Sequence, residues 1–307
     1  FHLAAGSRVF SCTALGGHAV ILPKFDVGVL LESVEKYQVN SATLVPTMYQ
    51  MILDHSDFGN YDLSSLKMLA SGAAPLSIAL LSRIIKSFPK TEFFQTYGMT
   101  EASPILTSLD SKYHVLEGPN ANKLGSVGRS VKHVDLIIAD EDDKEVPANT
   151  IGQILARGDN IMTGYWHLPE QTAEALKDGW YHTGDAGYLD DEGFLFLEGR
   201  VKDMIVSGGE NIYPREIEEF LFSHPEVLDV QVFGVPNDRL GEEVCAWIIP
   251  VPNSNLTEDA LNTFCVGKIS HFKIPKYFRM VKTIPMTITG KPQKYLMRDE
   301  MVKYLST

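Results

Sequence analysis

The sequence is poor in cysteine, has no long apolar run and carries no excess of basic residues. Its three cysteines lie far apart, a spacing that fits neither a disulfide framework nor a zinc site. This favours a reducing compartment, the cytoplasm or the mitochondrial matrix. No apolar run approaches the roughly 18 residues that a membrane span needs. The formal net charge of -12 argues against a nucleic-acid binder, although an acidic protein can still bind an anionic substrate at a locally positive site.

Strand and helix patterns alternate in the first part of the chain. Val27, Leu30, Leu31 and Val34 recur at helical spacing, between apolar runs at 18–22 and 41–45 that both predict strands. Further buried strands are predicted in "SLKMLASGAAPLS" and "TEFFQTYGMTE". Strands that alternate with helices predict a mainly parallel sheet with covered faces.

The pattern changes near residue 113 and again near residue 202. Short alternating strands, separated by Gly, Pro, Asn and Asp, predict an antiparallel sheet at 113–201. Strand and helix patterns return at 202–307. We therefore expect an α/β protein in three parts, with an α/β part at 1–112, an antiparallel β subdomain at 113–201 and a small α+β domain at 202–307.

The segment "QTYGMTE" places polar residues at the carboxyl end of a buried strand, the edge of a parallel sheet where ligands bind. Glu101 suits Mg²⁺, which takes one or two carboxylates together with substrate phosphate oxygens. Thr100 offers a hydroxyl to a phosphate, and Tyr97 offers an aromatic face to a base. A strand end followed by a helix cap explains the same residues without any ligand.

Three further segments contain polar residues with both a chemical and a structural interpretation. Asp185 in "GWYHTGD" is expected on a tight turn, where a carboxylate can accept both hydroxyls of a ribose or cap the backbone. Arg200 in "GRVKD" can bind hydroxyls or phosphate, or lie in solvent at a domain junction. Lys291 in "TITGKPQK" can neutralise charge in a phosphoryl transition state, or be an ordinary surface lysine.

The adjacent glycines Gly208 and Gly209 raise the question of phosphate binding. Their segment, "VSGGENIYPREIE", lacks the Lys and Ser/Thr of a Walker loop. Acidic residues follow at the start of the predicted helix, where they would repel a phosphate. The sequence therefore predicts a narrow turn without side chains rather than a phosphate loop.

Taken together and in this order, the motifs resemble those of the acyl-adenylate-forming superfamily: acyl-CoA synthetases, aryl-CoA ligases, peptide-synthetase adenylation domains and beetle luciferases. The resemblance covers almost all of the chain and depends on "QTYGMTE", "ARGDNIMTGYW", "GWYHTGD", "GRVKDMIVSGGENIYPREIE" and "ITGKPQK". "GKISHFKIPKY" and "DRLGEEVCAWI" are most similar to medium-chain fatty acyl-CoA synthetases. The resemblance to the superfamily implies that 1–201 is the C-terminal part of a large domain and that 202–307 is a mobile lid.

The resemblance also implies a role for individual positions. The positions implied for ATP or AMP are Gly72, Ala73, Ala74, Pro75, Gln95, Thr96, Tyr97, Gly98, Thr100, Asp185, Arg200 and Lys291. Thr100, Glu101 and Lys291 would be catalytic, with Glu101 on Mg²⁺, and Asp185 and Arg200 would bind the ribose. The positions implied for the other parts of the site are His2, Gly72 and Gly98 in the acyl pocket, Lys202 at the hinge, and Gly208 and Gly209 at the CoA tunnel.

The implied activity is an ATP- and Mg²⁺-dependent fatty acid–CoA ligase of lipid metabolism, whose partners are small molecules: a fatty acid, ATP and CoA. The family's Gly/Ser/Thr-rich phosphate loop lies upstream of the position matched by His2, and the chain opens at Phe1 in what reads as structured sequence. We therefore expect an N-terminally truncated fragment that is inactive by itself.

Two alternatives stay open. One is another adenylate-forming enzyme, such as an aryl-CoA ligase, because the sequence does not separate aromatic from aliphatic acids. The other is a non-catalytic binding module on the same scaffold. The joint presence of Thr100, Glu101, Asp185, Arg200 and Lys291 argues against the module.

Overall fold

The structure is a computed structural model that describes residues 3–72, 74, 76–287 and 292–305. The chain forms two compact units, Phe1–Thr183 with Gly187–Leu197, and Gly184–Ala186 with Glu198–Thr307. The α/β architecture predicted from the sequence is confirmed. The predicted division after residues 112 and 201 stays a prediction.

The first unit contains a mixed sheet with the strand order β1-β2-β3-β4-β5. The strands are β1 (Ser41–Leu44), β2 (Met68–Ser71), β3 (Glu92–Tyr97), β4 (Thr107–Leu109) and β5 (Arg129–Ser130). The first three run parallel, and β4 and β5 are antiparallel to their neighbours. Ser71 is paired with Gln95, so the carboxyl ends of β2 and β3 meet at one edge of the sheet.

Helices accompany the sheet in this part, and all but the first bury apolar residues at helical spacing. They are α1 (Leu3–Ala14), α2 (Val27–Tyr37), α3 (Pro46–Leu53) and α4 (Ile78–Ser87). The helix α2 begins where the Asp26 carboxylate accepts a hydrogen bond from the Val29 N–H at 3.0 Å. Val34, Tyr49, Leu81 and Phe93 belong to one buried cluster, which joins α2, α3 and α4 to the sheet.

One expectation about the start of the chain is wrong. The apolar run at 18–22 forms no strand in the part of the chain that the structure describes. A strand needs a neighbour for its backbone N–H and C=O groups, and apolar side chains alone do not supply one. The expected strand at 41–45 is present as β1, and Pro46 then begins α3, where a proline is compatible with the first helical position.

A second sheet has the strand order β10-β9-β7-β6, with β8 beside β9. Its elements are β6 (Val134–Ala139), β7 (Gly152–Gly158), α5 (Pro169–Ala175), β8 (Leu176–Lys177), β9 (Trp180–Leu189) and β10 (Leu195–Arg200). The turn between β9 and β10 is closed by Asp190, whose Oδ1 accepts hydrogen bonds from the N–H groups of Glu192 and Phe194 at 2.9 Å each. Lys123, which is buried, donates to the other Asp190 oxygen at 2.5 Å.

The second unit contains a further sheet with helices on its faces. Its elements are β11 (Ile205–Ser207), β12 (Glu210–Ile212), α6 (Pro214–Phe222), β13 (Val227–Asn237), β14 (Gly241–Pro250), α7 (Glu258–Cys265), β15 (Tyr277–Met280) and α8 (Lys294–Leu305). The strand order is β12-β11-β14-β13, and β15 lies parallel beside β14. Alternate residues of β14 face opposite sides: Ala246 belongs to the cluster of α6 and α7, and Trp247 to that of α8.

Short 3-10 helices connect several of these elements. They lie at Phe58–Asn60, Thr100–Ala102, Ser111–Tyr113, Ala121–Lys123, Val201–Asp203 and His271–Lys273. Among the helices that the structure describes, none combines the length and apolar character of a membrane-spanning segment.

Candidate active site

The carboxyl edge of β2 and β3 brings several of the predicted positions together. Gln95 and Tyr97 are buried on one face of β3. Gly72 follows β2 directly, and a Cβ at this position would lie 3.0 Å from Thr96 Oγ1. A side chain at Gly72 would therefore crowd Thr96, so the glycine lets the two strand ends approach each other. Ala74 lies in the bend that follows.

Gly98 ends β3 with a close backbone contact. A Cβ at Gly98 would overlap the carbonyl oxygen of Pro104, and it would lie 2.9 Å from Ile105 Cα. The chain turns back at this point, because the Leu106 N–H donates to the Tyr97 carbonyl at 2.8 Å. Only glycine is compatible with this turn, which brings the 100–105 segment against the end of the strand.

Thr100 and Glu101 lie on the 3-10 helix Thr100–Ala102, immediately after the strand. Thr100 is exposed and Glu101 is half-buried. The Glu101 carboxylate accepts a hydrogen bond from the Tyr165 hydroxyl at 2.9 Å. The described residues contain no group of three or more His, Cys, Asp or Glu side chains placed to hold a metal ion. A single carboxylate that follows a strand end is compatible with Mg²⁺, which takes one or two protein carboxylates together with substrate oxygens.

Asp185 and Arg200 form an ion pair within the second unit, with 2.9 Å between Nε and Oδ1. The Asp185 side chain is 14% exposed and that of Arg200 is 49% exposed. The expectation that Asp185 lies on a tight turn is wrong, because the residue is inside β9. Gly184, just before it, has a φ of +69°. This irregularity in the strand is what made "HTGD" resemble a turn.

Glu198, two residues before Arg200 on β10, is half-buried. Burial raises its pKa above the ordinary range, the nearby Arg215 opposes this shift, and Glu216 adds to it. Lys273 also lowers the pKa, and Glu219 raises it. The electrostatic surroundings of the strand end that contains Arg200 are therefore mixed in sign.

Lys202 and the two glycines lie further along the second unit. Lys202 is exposed on the 3-10 helix Val201–Asp203. Gly208 and Gly209 have φ values of +61° and +88° and connect β11 to β12, where Ser207 pairs with Glu210. They form a two-residue hairpin turn with positive φ at both positions, the conformation in which glycine is preferred.

Four of the predicted positions lie outside the described residues. They are His2, Ala73, Pro75 and Lys291. Of the described positions, the structure brings together Gly72, Ala74, residues 95–98, Thr100 and Glu101 in the first unit, and Asp185 with Arg200 in the second.

Sequence reasoning missed two residues that contact the 100–105 segment. Asn160 Nδ2 donates to the carbonyl groups of Ala102, at 2.7 Å, and Ile105, at 3.1 Å. Tyr165 donates to Glu101, as described above. Both residues lie in "ARGDNIMTGYW", one of the motifs that carry the resemblance, but no local pattern in this motif indicates which distant residues it contacts.

Comparison with known proteins gives matches along most of the chain. The family model for "AMP-binding enzyme" matches residues 1–166, and that for "AMP-binding enzyme C-terminal domain" matches residues 216–291. The medium-chain acyl-CoA ligase ACSF2 of Bos taurus, named as mitochondrial, is 39% identical over 286 residues, which are 92% of this chain and 46% of the relative. A feruloyl-CoA synthase of Amycolatopsis sp is 41% identical over 292 residues, 95% of this chain and 58% of the relative.

Among solved structures, the ATP-bound MatB of Rhodopseudomonas palustris matches with a TM-score of 0.84 and 31% identity. The match covers 93% of this chain and 55% of that protein. The chain thus spans about half the length of the curated relatives that it matches.

Proposed function

This chain belongs to the AMP-binding enzyme family, as the resemblance predicted, and we propose that the protein is an AMP-forming acid–thiol ligase that makes acyl-CoA. The observation that supports this most directly is the grouping of Gly72, Thr96, Thr100 and Glu101 at the carboxyl edge of parallel strands. Ligands bind at that edge in open α/β sheets.

The proposed reaction has two steps. A carboxylate oxygen of the acid attacks the α-phosphorus of ATP, the bond to pyrophosphate breaks, and an acyl-adenylate forms. The sulfur of CoA then attacks the acyl carbon, AMP leaves with the bonding electron pair, and the thiol proton is lost to solvent. The first step is needed because a carboxylate is a poor electrophile, whereas AMP is a good leaving group.

We assign the nucleotide contacts as follows. Residues 95–98 with Ala74 border the adenine, Thr100 donates to a phosphate, and Asp185 with Arg200 binds the ribose hydroxyls. Glu101 holds the Mg²⁺ that accompanies ATP, which would neutralise charge on the phosphates. Lys291 supports adenylate formation as a point charge. The matching solved structure of MatB is described as ATP-bound, which supports ATP as the nucleotide.

The remaining roles concern the acid, CoA and the lid. Lys202 is the hinge, and Gly208 with Gly209 borders the pantetheine arm of CoA during the second step. His2, Gly72 and Gly98 border the acyl group. We place the reaction in the cytoplasm or the mitochondrial matrix, and the mitochondrial name of the bovine relative supports the second.

We propose a medium-chain fatty acid as the substrate. The similarity to ACSF2, a medium-chain ligase, supports this choice. The similarity to a feruloyl-CoA synthase supports the second candidate, an aryl-CoA ligase. Both candidates share the adenylate chemistry and differ only in the acid.

The test uses the protein at its full natural length with ATP, Mg²⁺, CoA and a panel of acids that includes octanoate and ferulate. Octanoyl-CoA and AMP should form together in equal amounts. Glu101→Gln should lower thioester formation about a hundredfold or more, because the metal loses its charged ligand. Release of ADP instead of AMP would refute the ligase proposal, and a strong preference for ferulate would replace the fatty acid with an aromatic acid.

A further inference from the structure

The loop after β7 is hydrogen-bonded to the segment that contains Glu101. The Met162 N–H donates to the Glu101 carbonyl at 2.8 Å. Asn160 Nδ2 donates to the Ala102 carbonyl at 2.7 Å and to the Ile105 carbonyl at 3.1 Å. These bonds connect residues about 60 positions apart in sequence. The backbone at Glu101 and in the residues that follow it is therefore held by the 160–165 loop.

The same loop contacts the Glu101 side chain itself. The Tyr165 hydroxyl donates to Glu101 Oε1 at 2.9 Å. A hydrogen bond to a carboxylate is stronger than one between neutral groups. A carboxylate has about four lone-pair positions, so one phenol contact restricts its rotation without exhausting its acceptor capacity for a cation.

Tyr165 is in turn held by Thr172 of α5. The Tyr165 N–H donates to Thr172 Oγ1 at 2.9 Å, and this hydroxyl donates to the Leu168 carbonyl at 2.8 Å. Gly164, with a φ of +149°, permits the close approach, because a Cβ there would lie 2.8 Å from Thr172 Cγ2. The phenol is thus presented from a backbone position that is itself fixed.

We propose that Tyr165 is a positioning residue, whose hydroxyl orients the Glu101 carboxylate toward the divalent cation of a bound nucleotide. The proposal rests on the proposed function, since it takes Glu101 as the metal ligand. It adds a residue that touches neither nucleotide nor acid and acts through Glu101. Without its phenol partner, Glu101 can adopt several rotamers, and binding the cation then requires that one of them be selected.

The experiment replaces Tyr165 with Phe in the protein at its full natural length and measures Mn²⁺ binding by electron paramagnetic resonance with ATP present. Mn²⁺ should bind about tenfold more weakly to the variant, in line with loss of one hydrogen bond to a charged group. The KM for MgATP should rise more than kcat falls, and the midpoint of thermal unfolding should stay within about 2 °C of the unchanged protein. Tyr113→Phe, which removes the hydroxyl of a half-buried ring packed on Phe194, is the matched control and should change none of these values.

Variants of Thr172 provide a second test that leaves the phenol in place. Thr172→Val removes the acceptor for the Tyr165 N–H and should weaken Mn²⁺ binding about threefold. Thr172→Ser keeps the hydroxyl, so Mn²⁺ binding should be unchanged in this variant. Unchanged Mn²⁺ binding in Tyr165→Phe would overturn the proposal, whatever the result for Thr172→Val.

Glu101→Gln separates this proposal from the proposed function. If Glu101→Gln leaves Mn²⁺ binding intact, Glu101 is not the metal ligand, and both this proposal and the metal assignment are wrong. If Glu101→Gln abolishes Mn²⁺ binding while Tyr165→Phe leaves it unchanged, only the positioning role is wrong.

Discussion

Asp185 and Arg200 face each other from the neighbouring strands β9 and β10, with 2.9 Å between Oδ1 and Nε. The carboxylate is largely buried, whereas half of the arginine side chain is exposed. Arginine has five N–H donors, so Arg200 can hold Asp185 through Nε and still donate to a hydroxyl oxygen. The pair therefore offers acceptor and donor groups side by side, which is what two adjacent ribose hydroxyls require.

We predict that Asp185→Asn in the full-length protein raises the KM for ATP about tenfold or more, because the ribose loses hydrogen bonds to a charged acceptor. The KM for the acid should change little. The matched control is Asp135→Asn, which removes the carboxylate of an exposed pair with Arg157 (2.8 Å) on β6 and β7. Steady-state kinetics at varied ATP concentration checks the prediction, and equal effects of the two variants would contradict it.

The hairpin turn of Gly208 and Gly209 leads to a prediction about the second half-reaction. A Cβ at Gly209 would contact nothing within 4 Å, but the φ of +88° disfavours most side chains. Gly209→Leu should lower thioester formation about tenfold while ATP–pyrophosphate exchange survives, because only the second step uses the CoA tunnel. Gly209→Asn, which tolerates positive φ, should retain more thioester formation.

The control for this turn is Gly193→Leu, in the hairpin between β9 and β10. Gly193 has a φ of +76° and also has no neighbour within 4 Å of a Cβ. This variant carries similar backbone strain without touching the proposed tunnel. Equal loss of exchange and thioester formation in Gly209→Leu would mean that the turn is merely structural.

Sequence patterns predicted the elements that are determined locally. The helix α6 begins at Pro214 as expected, since proline suits the first helical position and the acidic residues that follow suit the helix dipole. The spacing of Val27, Leu31 and Val34 predicted α2, and all three are buried. The strand end at Tyr97 followed from a short apolar run and a glycine.

Features that depend on distant parts of the chain were not predictable in this way. The contact between Tyr165 and Glu101 joins residues 64 positions apart, and no local pattern encodes such a pairing. Asp185 was expected on a turn because "TGD" is typical of one, but pairing with neighbouring strands overrides that preference. Neither the burial of Glu198 nor that of His114 could be inferred from their neighbours in sequence.

The half-buried Glu198 should make the stability of the second unit depend on pH. Burial raises its pKa, and Arg215 and Lys273 offset this only in part, since Glu216 and Glu219 act in the opposite direction. The folded state therefore binds the proton more tightly than the unfolded chain does. The stability that this carboxyl contributes is present below its unfolded pKa and is lost as the pH rises through its raised folded pKa.

We predict that Glu198→Gln raises the midpoint of thermal unfolding of the second unit at pH 8, where this partly desolvated carboxylate is charged. At pH 4 the two proteins should unfold at nearly the same temperature. Calorimetry at both pH values checks this, with Glu210→Gln, at an exposed position of β12, as the control. A lower midpoint for Glu198→Gln at pH 8 would show that its ion partners outweigh its burial.

His114 is a buried imidazole in the first unit. Its ring packs edge-on against Phe93, with 5.0 Å between the ring centroids. Nδ1 lies 3.1 Å from the Asp110 carbonyl oxygen, which can only accept, so Nδ1 carries the proton of the neutral ring. Burial lowers the pKa of His114 from 6.5 to about 4, although the bond to Asp110 opposes this.

We predict that His114→Phe reduces the acid sensitivity of the first unit. Because the folded pKa is lowered, the unfolded chain binds more protons between pH 6.5 and 4, so stability falls as the pH drops through this window. A pKa shift of this size lowers the free energy of unfolding by about 3 kcal/mol at pH 4. Urea denaturation at pH 7.5, 5.5 and 4.5 measures how much free energy of unfolding is lost as the pH falls. This loss should be smaller in His114→Phe than in the unchanged protein. The control His18→Phe, at an exposed position, should lose as much as the unchanged protein. The same loss in all three proteins would mean that other groups cause the acid sensitivity.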